Sequence, residues 1–130
     1  MIASLFKDDD GRIWVGNWGQ GLNILDRKSG LVEHFSSRHK GNRYIPNDFV
    51  HVIFRDEDKN IWLGTRDGIL VFDQNAERFV RFSEFFPHSK LPLLNGNRIF
   101  KIIQSSDKSY WIASQSGLYH LDRHKTKIDF

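Results

Sequence analysis

The stretch GRIWVGNWGQGL, residues 11–22, decides the fold. It reads as a β-strand over Ile13–Gly16 that runs into a turn with two glycines, and that turn holds a second tryptophan, Trp18. The phrase returns as KNIWLGTRDGIL at 59–70 and as KSYWIASQSGLY at 108–119. Aligned on Trp14, Trp62 and Trp111, the copies keep an aliphatic residue well upstream (Ile2, Val50, Ile99) and another apolar residue nearer (Phe6, Phe54, Ile103). A small residue follows each Trp (Gly16, Gly64, Ala113), then Gly21-Leu22, Gly68-Ile69 or Gly117-Leu118, then Asp26, Asp73 or Asp122. Copy one is longer by one residue in the turn that carries Trp18.

Each copy divides into four short apolar runs. In the second they are 50–54, 61–65, 69–72 and 78–82, separated by Asp-Glu-Asp-Lys-Asn, Arg-Asp-Gly and Asp-Gln-Asn-Ala-Glu. Val, Ile, Phe and Trp bounded by Asp, Asn and Gly mark strands joined by tight turns. No strong amphipathic helical pattern appears, although residues 83–93 have room for one helical turn limited by Pro87 and Pro92. Four antiparallel strands repeated at this period predict β-propeller blades. The fold class expected is therefore all-β: a β-propeller fragment of three four-stranded antiparallel blades, one unit over 1–130 with repeats at 2–35, 50–82 and 99–130. The repeated Trp and Phe residues are expected to fill the gaps between blades, and the small residues to let neighbouring backbones approach.

Composition agrees with one soluble domain. The 130 residues are 39% hydrophobic, 27% charged and 14% aromatic, with a net charge of +3. Acids and bases alternate along the chain, so no basic stripe marks a nucleic-acid interface. Cysteine is absent, which excludes disulfides, thiolate metal sites and Cys nucleophiles. No apolar run approaches the ~20 residues of a membrane span. The first residues do not read as a signal peptide, so any export signal or anchor is expected elsewhere in the gene.

The three copies, IASLFKDDDGRIWVGNWGQGLNILDRKSGLVEHF, VHVIFRDEDKNIWLGTRDGILVFDQNAERFVRF and IFKIIQSSDKSYWIASQSGLYHLDRHKTKIDF, resemble the two-component regulator propeller repeat. The third departs most, with Ala113-Ser114 in place of Gly-Thr and Ser105 in place of Asp. The resemblance implies the extracytoplasmic, periplasmic sensor region of a hybrid two-component system of the kind common in Bacteroidetes. Such sensors often respond to oligosaccharides and are followed by a membrane helix and a histidine kinase. No kinase region is present, and none of the six histidines lies on a helix that would carry a phosphoacceptor.

The chemistry-bearing candidates are few. Asp8-Asp9-Asp10-Gly11 and Asp56-Glu57-Asp58-Lys59-Asn60 have alternating oxygens, but Ile61 stands where a calcium loop needs Gly, so both read as turns rather than metal sites. No spacing singles out a nucleophile with its base, and no glycine loop fits a phosphate. Catalytic residues, metal ligands and cofactors are all expected to be absent. The connections after the second and fourth strands of each blade share one face and are the longer and more aromatic set, and loops carry function more often than scaffolds do. The candidate ligand residues there are Trp18, Gln20, Arg43, Tyr44, Arg66 and Gln115: a ring to stack on a sugar and planar donors for its hydroxyls. Trp18 either serves that role or caps its own turn. Phe85 and Phe86 either join it or tuck back against a blade. The expected partners are an oligosaccharide and, through the open blade faces, a second copy of the chain, with no nucleic acid and no membrane contact. The alternative is a structural or protein-interaction segment without a small-molecule ligand.

Overall fold

Strand identity follows from alternation. In β2 (Ile13–Asn17), Trp14 and Gly16 are buried while Ile13, Val15 and Asn17 are half-exposed, the period of a sheet covered on one face. The structure, a computed structural model, describes residues 1–89 and 96–129. Beside β2 lie β1 (Ile2–Lys7), β3 (Leu22–Leu25) and β4 (Val32–Phe35) in one antiparallel sheet of order β1-β2-β3-β4. The second sheet holds β5 (Val50–Arg55), β6 (Ile61–Thr65), β7 (Gly68–Asp73) and β8 (Arg78–Arg81) in the same order. The third holds β9 (Ile99–Gln104), β10 (Tyr110–Ser114), β11 (Gly117–Leu121) and β12 (Ile128–Asp129). These are three propeller blades. First strands are neighbours, β1 against β5 and β5 against β9, so they are the innermost strands of the stack.

The core consists of two layers, one in each gap. Trp14, Leu22, Ile24 and Phe35 of the first blade meet Ile61, Leu63, Leu70 and Phe79 of the second. Val52, Trp62, Ile69 and Val71 of the second meet Ile102, Tyr110, Ile112 and Leu121 of the third. The middle blade is covered on both faces, and β6 is accordingly buried at every residue. Gly16 and Gly64 sit where the gaps are tightest. A Cβ on Gly64 would stand 2.8 Å from Ile99 Cγ2 and 2.9 Å from Val52 Cβ.

The tryptophans obey one rule with different outcomes: each faces the following blade. Trp14 meets Phe72 and Phe79 edge-on, with centroids 6.0 and 6.1 Å away, and Trp62 meets Tyr110 at 4.8 Å. Trp111 was expected to be gap filler as well. It is 37% exposed and lies against His120 at 4.3 Å, because no further blade among the described residues covers its face. Ile103 and Leu118 are exposed too, as are Leu5 and Val32 of the first blade.

The acidic turns are internal caps. Asp8 accepts from the backbone N–H groups of Asp10 and Arg12, from Arg12 Nε and from Trp14 Nε1 at 2.9 Å. Asp56 accepts from Asp58 N, Asn60 N, Asn60 Nδ2 and Trp62 Nε1 at 3.0 Å. One carboxylate thus closes the β1–β2 or β5–β6 turn and holds the indole in its gap. Ion pairs join neighbouring turns, Arg55 to Asp9 at 2.7 Å and Lys108 to Glu57 at 3.3 Å.

A single helical turn, α1 (Phe82–Phe85), follows β8. It begins at Phe82, which the sequence pattern placed in the fourth strand. Phe82 is buried against Trp62 at 4.9 Å, and Phe85 and Phe86 pack onto the same layer. The Phe pair therefore tucks back against the blades. The rest of the stretch read as a helical turn, from residue 90 to 93, and the remainder of the 83–98 connection to residue 95, lie outside the described residues, as does Phe130 at the end of the third repeat.

Candidate functional site

The ends of the second strands and the starts of the first strands meet on one face. There the copies correspond residue by residue. Trp18 N donates to Met1 O at 2.8 Å, Arg66 N to Phe49 O at 3.1 Å and Gln115 N to Arg98 O at 2.9 Å. Trp18, Arg66 and Gln115 thus occupy one repeated slot, and the extra residue of the first copy lies beyond it, in the Gly19–Gly21 turn. Gly19 N and Gly21 N both donate to Asp48 O, so that turn is held by the connection between the first two blades.

A second repeated feature lies below this slot. The register of every innermost strand shifts near its start, leaving Ala3, His51 and Phe100 outside the ladder. Such a bulge turns its residue away from the alternation of the strand. The large residues at these positions join the slot residues in one chain of contacts. Arg66 lays its guanidinium 3.6 Å above the Phe49 ring, and Phe49 pairs with Trp18 in an isolated antiparallel bridge. Trp18 meets the His51 ring edge-on at 5.6 Å, His51 lies 6.3 Å from Phe100, and Arg98 stands 6.0 Å over Phe100. Trp18 is 40% exposed and Phe100 50%. The cluster therefore presents rings to solvent with cations beside them, an arrangement that suits stacking and cation–π contact.

The electrostatics are one-sided. Burial, then the charges of Arg98 and Arg66, hold the His51 imidazole below its ordinary value of 6.5. The two nearest sequence-adjacent acids are engaged elsewhere: Asp67 pairs with Arg81 at 3.8 Å and caps Gly96 N, while Asp48 takes both the N–H and the hydroxyl of Ser37.

The six candidate residues separate into two groups. Trp18, Arg66 and Gln115 share the repeated slot. Gln20 lies in the adjoining turn, where its carbonyl meets His34 Nε2 at 2.8 Å. Arg43 ends a 3-10 turn at Gly41–Arg43, Tyr44 follows it, and both lie by the outermost strand of the first blade. Arg43 reaches Glu33 at 3.5 Å and covers Phe35, and Tyr44 bridges to Ser36. Arg43 also lines a groove of about 600 Å³ between the first two blades, walled by Asp8, Asp9, Arg12, Glu33, Arg55 and Lys59. Its charges pair with one another, and among the described residues no set of three His, Asp or Glu side chains is placed to hold a metal ion.

Phe49, His51, Arg98 and Phe100 are the residues that sequence reasoning missed. Their columns were available from the alignment on Ile2, Val50 and Ile99, since they flank those residues. The bulge, which aims the position after the aliphatic at the mouth, left no mark in the sequence.

This architecture is that of propeller blades with an aromatic and basic mouth. The family model of the two-component regulator propeller matches residues 1–19 and 44–67, stretches that span parts of the first two blades. Among solved structures, the extracellular domain of a putative hybrid two-component system from B. thetaiotaomicron is 29% identical at a TM-score of 0.73, over 98% of this chain and 14% of that one. A second extracellular domain of a putative hybrid system from that organism is 19% identical at 0.64, over 99% of this chain and 16% of that one. PorZ, a surface component of the type-IX secretion system of Porphyromonas gingivalis, is 19% identical at 0.68, over 98% of this chain and 20% of that one, and supports the fold alone. The chain thus spans a small part of the length of the structures it matches. No curated protein sequence matches it. Among the described residues no helix is long and apolar enough to cross a membrane.

Proposed function

We propose that the chain is a ligand-sensing segment of a periplasmic two-component sensor, that it responds to an oligosaccharide, and that it performs no catalysis itself. The propeller repeats and the likeness to an extracellular domain of a putative hybrid two-component system support the sensor role. The observation that carries the ligand class is Trp18. The repeat scaffold does not require a Trp in this slot, as Arg66 and Gln115 occupy it in the other copies, yet the first copy places an exposed indole there beside planar donors. A ring of this kind stacks on the apolar face of a pyranose while guanidinium and amide groups take its hydroxyls.

Titration of the chain with a set of plant and host oligosaccharides, read by tryptophan fluorescence and calorimetry, tests this. Binding by at least one sugar that Trp18→Ala weakens tenfold or more, with unchanged circular dichroism, is the expected result. Binding indifferent to Trp18→Ala refutes the assignment of this residue. A second reading, a protein-interaction segment without a small ligand, draws on the exposed Trp111, Ile103 and Leu118 of the third blade. It predicts no sugar response at all.

A further inference from the structure

The cations at the mouth lack counter-charges. Arg66 and Arg98 form no ion pair among the described residues, and Arg66 Nε, Arg98 Nε and His51 Nε2 are each buried without a hydrogen-bond partner there. By contrast, Arg12, Arg43, Arg55, Arg81 and Lys108 each find a carboxylate within 4 Å. Two guanidinium groups that flank one imidazole repel each other, and their terminal amino groups, unlike Nε, are not among the buried unpaired atoms. Asp48 and Asp67 adjoin the cluster in sequence, but both are spent on loop contacts.

We propose that Arg66, Arg98 and His51 form a carboxylate subsite at the propeller mouth, flanked by Trp18 and Phe100, so that the sugar sensed is an acidic one. This rests on the oligosaccharide reading and narrows it. Arginine suits the role because its planar fork matches a carboxylate with two parallel hydrogen bonds. Arg66 rests on the Phe49 ring and Arg98 lies 6.0 Å from the centre of the Phe100 ring, contacts that leave the guanidinium ends for a ligand. The imidazole, held toward its neutral form, has its Nε2 buried and leaves Nδ1 to meet a ring hydroxyl next to the acid. Trp18 and Phe100 supply the apolar surfaces for the pyranose.

The test uses the whole chain with two matched probes, methyl β-D-glucuronide and methyl β-D-glucoside, at equal ionic strength, with acetate as a third arm. The chemical shift of the Trp18 indole N–H reports occupancy. The glucuronide should bind at least tenfold more tightly than the glucoside, and acetate should bind more weakly than the glucuronide. Arg98→Gln and Arg66→Gln should each weaken the glucuronide by a larger factor than the glucoside, so that the ratio of the two affinities falls toward one. Equal binding of the two glycosides overturns the carboxylate subsite and leaves sugar sensing in place. Acetate as tight as the glucuronide overturns the acidic-sugar assignment. Absence of binding by both glycosides at saturating concentration overturns both readings. The wild-type comparison stands even where a variant does not fold.

Discussion

Replacing Asp56 by alanine should unfold the middle blade more readily than any other single turn substitution. Asp56 is 4% exposed and its carboxylate accepts from two backbone N–H groups, from Asn60 Nδ2 and from Trp62 Nε1. The backbone donors lie in a turn that water reaches once the carboxylate is gone, so part of their loss is recovered. Trp62 is 0% exposed, and its indole N–H has no such recourse. A hydrogen bond to a charged acceptor contributes about 1.5–3 kcal/mol, and an orphaned buried donor costs a similar amount. With the turn bonds partly replaced, Asp56→Ala should cost about 3 kcal/mol. Urea unfolding followed by tryptophan fluorescence at neutral pH measures it. Asp58→Ala is the control, because Asp58 is exposed and its loss should change stability by under about 0.5 kcal/mol. The third copy supplies a natural comparison: Ser105 stands at the equivalent position, and Ser105→Ala should be nearly neutral because Trp111 is not held in a gap. A cost for Asp56→Ala below about 1 kcal/mol would refute the idea that this carboxylate secures the indole.

Three other outcomes follow from the same geometry. Gly64→Ala should destabilise by about 1–3 kcal/mol in the same urea assay, since its Cβ would press on Ile99 across a closed gap and on Val52 of the neighbouring strand. Burial raises the Asp8 carboxyl, but the hydrogen bonds from Trp14 and Arg12 outweigh it and leave the group below its ordinary value of 3.8. The stability Asp8 contributes is therefore complete above about 3.8 and is lost as the pH falls through the lower folded value. Acid titration of wild type and Asp8→Asn should accordingly give stabilities that differ at neutral pH and converge at low pH. Finally, the exposed rings and aliphatics on the outer blade faces should drive self-association at micromolar concentration. Light scattering should report a mass above that of one chain, and Trp111→Glu should lower it. A monomeric wild type under those conditions removes the self-association proposal.

The blades were legible because a strand that packs against a neighbour must repeat its large apolar residue in the same place. Trp14 and Trp62, the small Gly16 and Gly64, and the turn acids Asp8 and Asp56 each occupy a column that the chain writes more than once. Local chemistry fixed those: turn residues set the hairpins, and a two-residue alternation chose the buried face. The candidate site was legible in part. Trp18 stood out as a ring beyond the need of the repeat, and Arg66 and Gln115 came with it because they fill the same slot. Arg43 and Tyr44 were grouped with them from loop membership alone, and the structure sets them beside the outermost strand of the first blade.

The sequence by itself determined four-strand blades, their order and the repeated columns of large apolar residues, since these depend on periodic burial and on turns within a few residues. Only the tertiary structure decided what gathers at the mouth. His51 and Phe100 arrive there through bulges in their strands, and Arg98 and Phe49 through hydrogen bonds to residues that follow the next strand. Trp111 looked like its two counterparts, yet a gap needs a neighbour on its far side, and that condition lies between blades rather than within one.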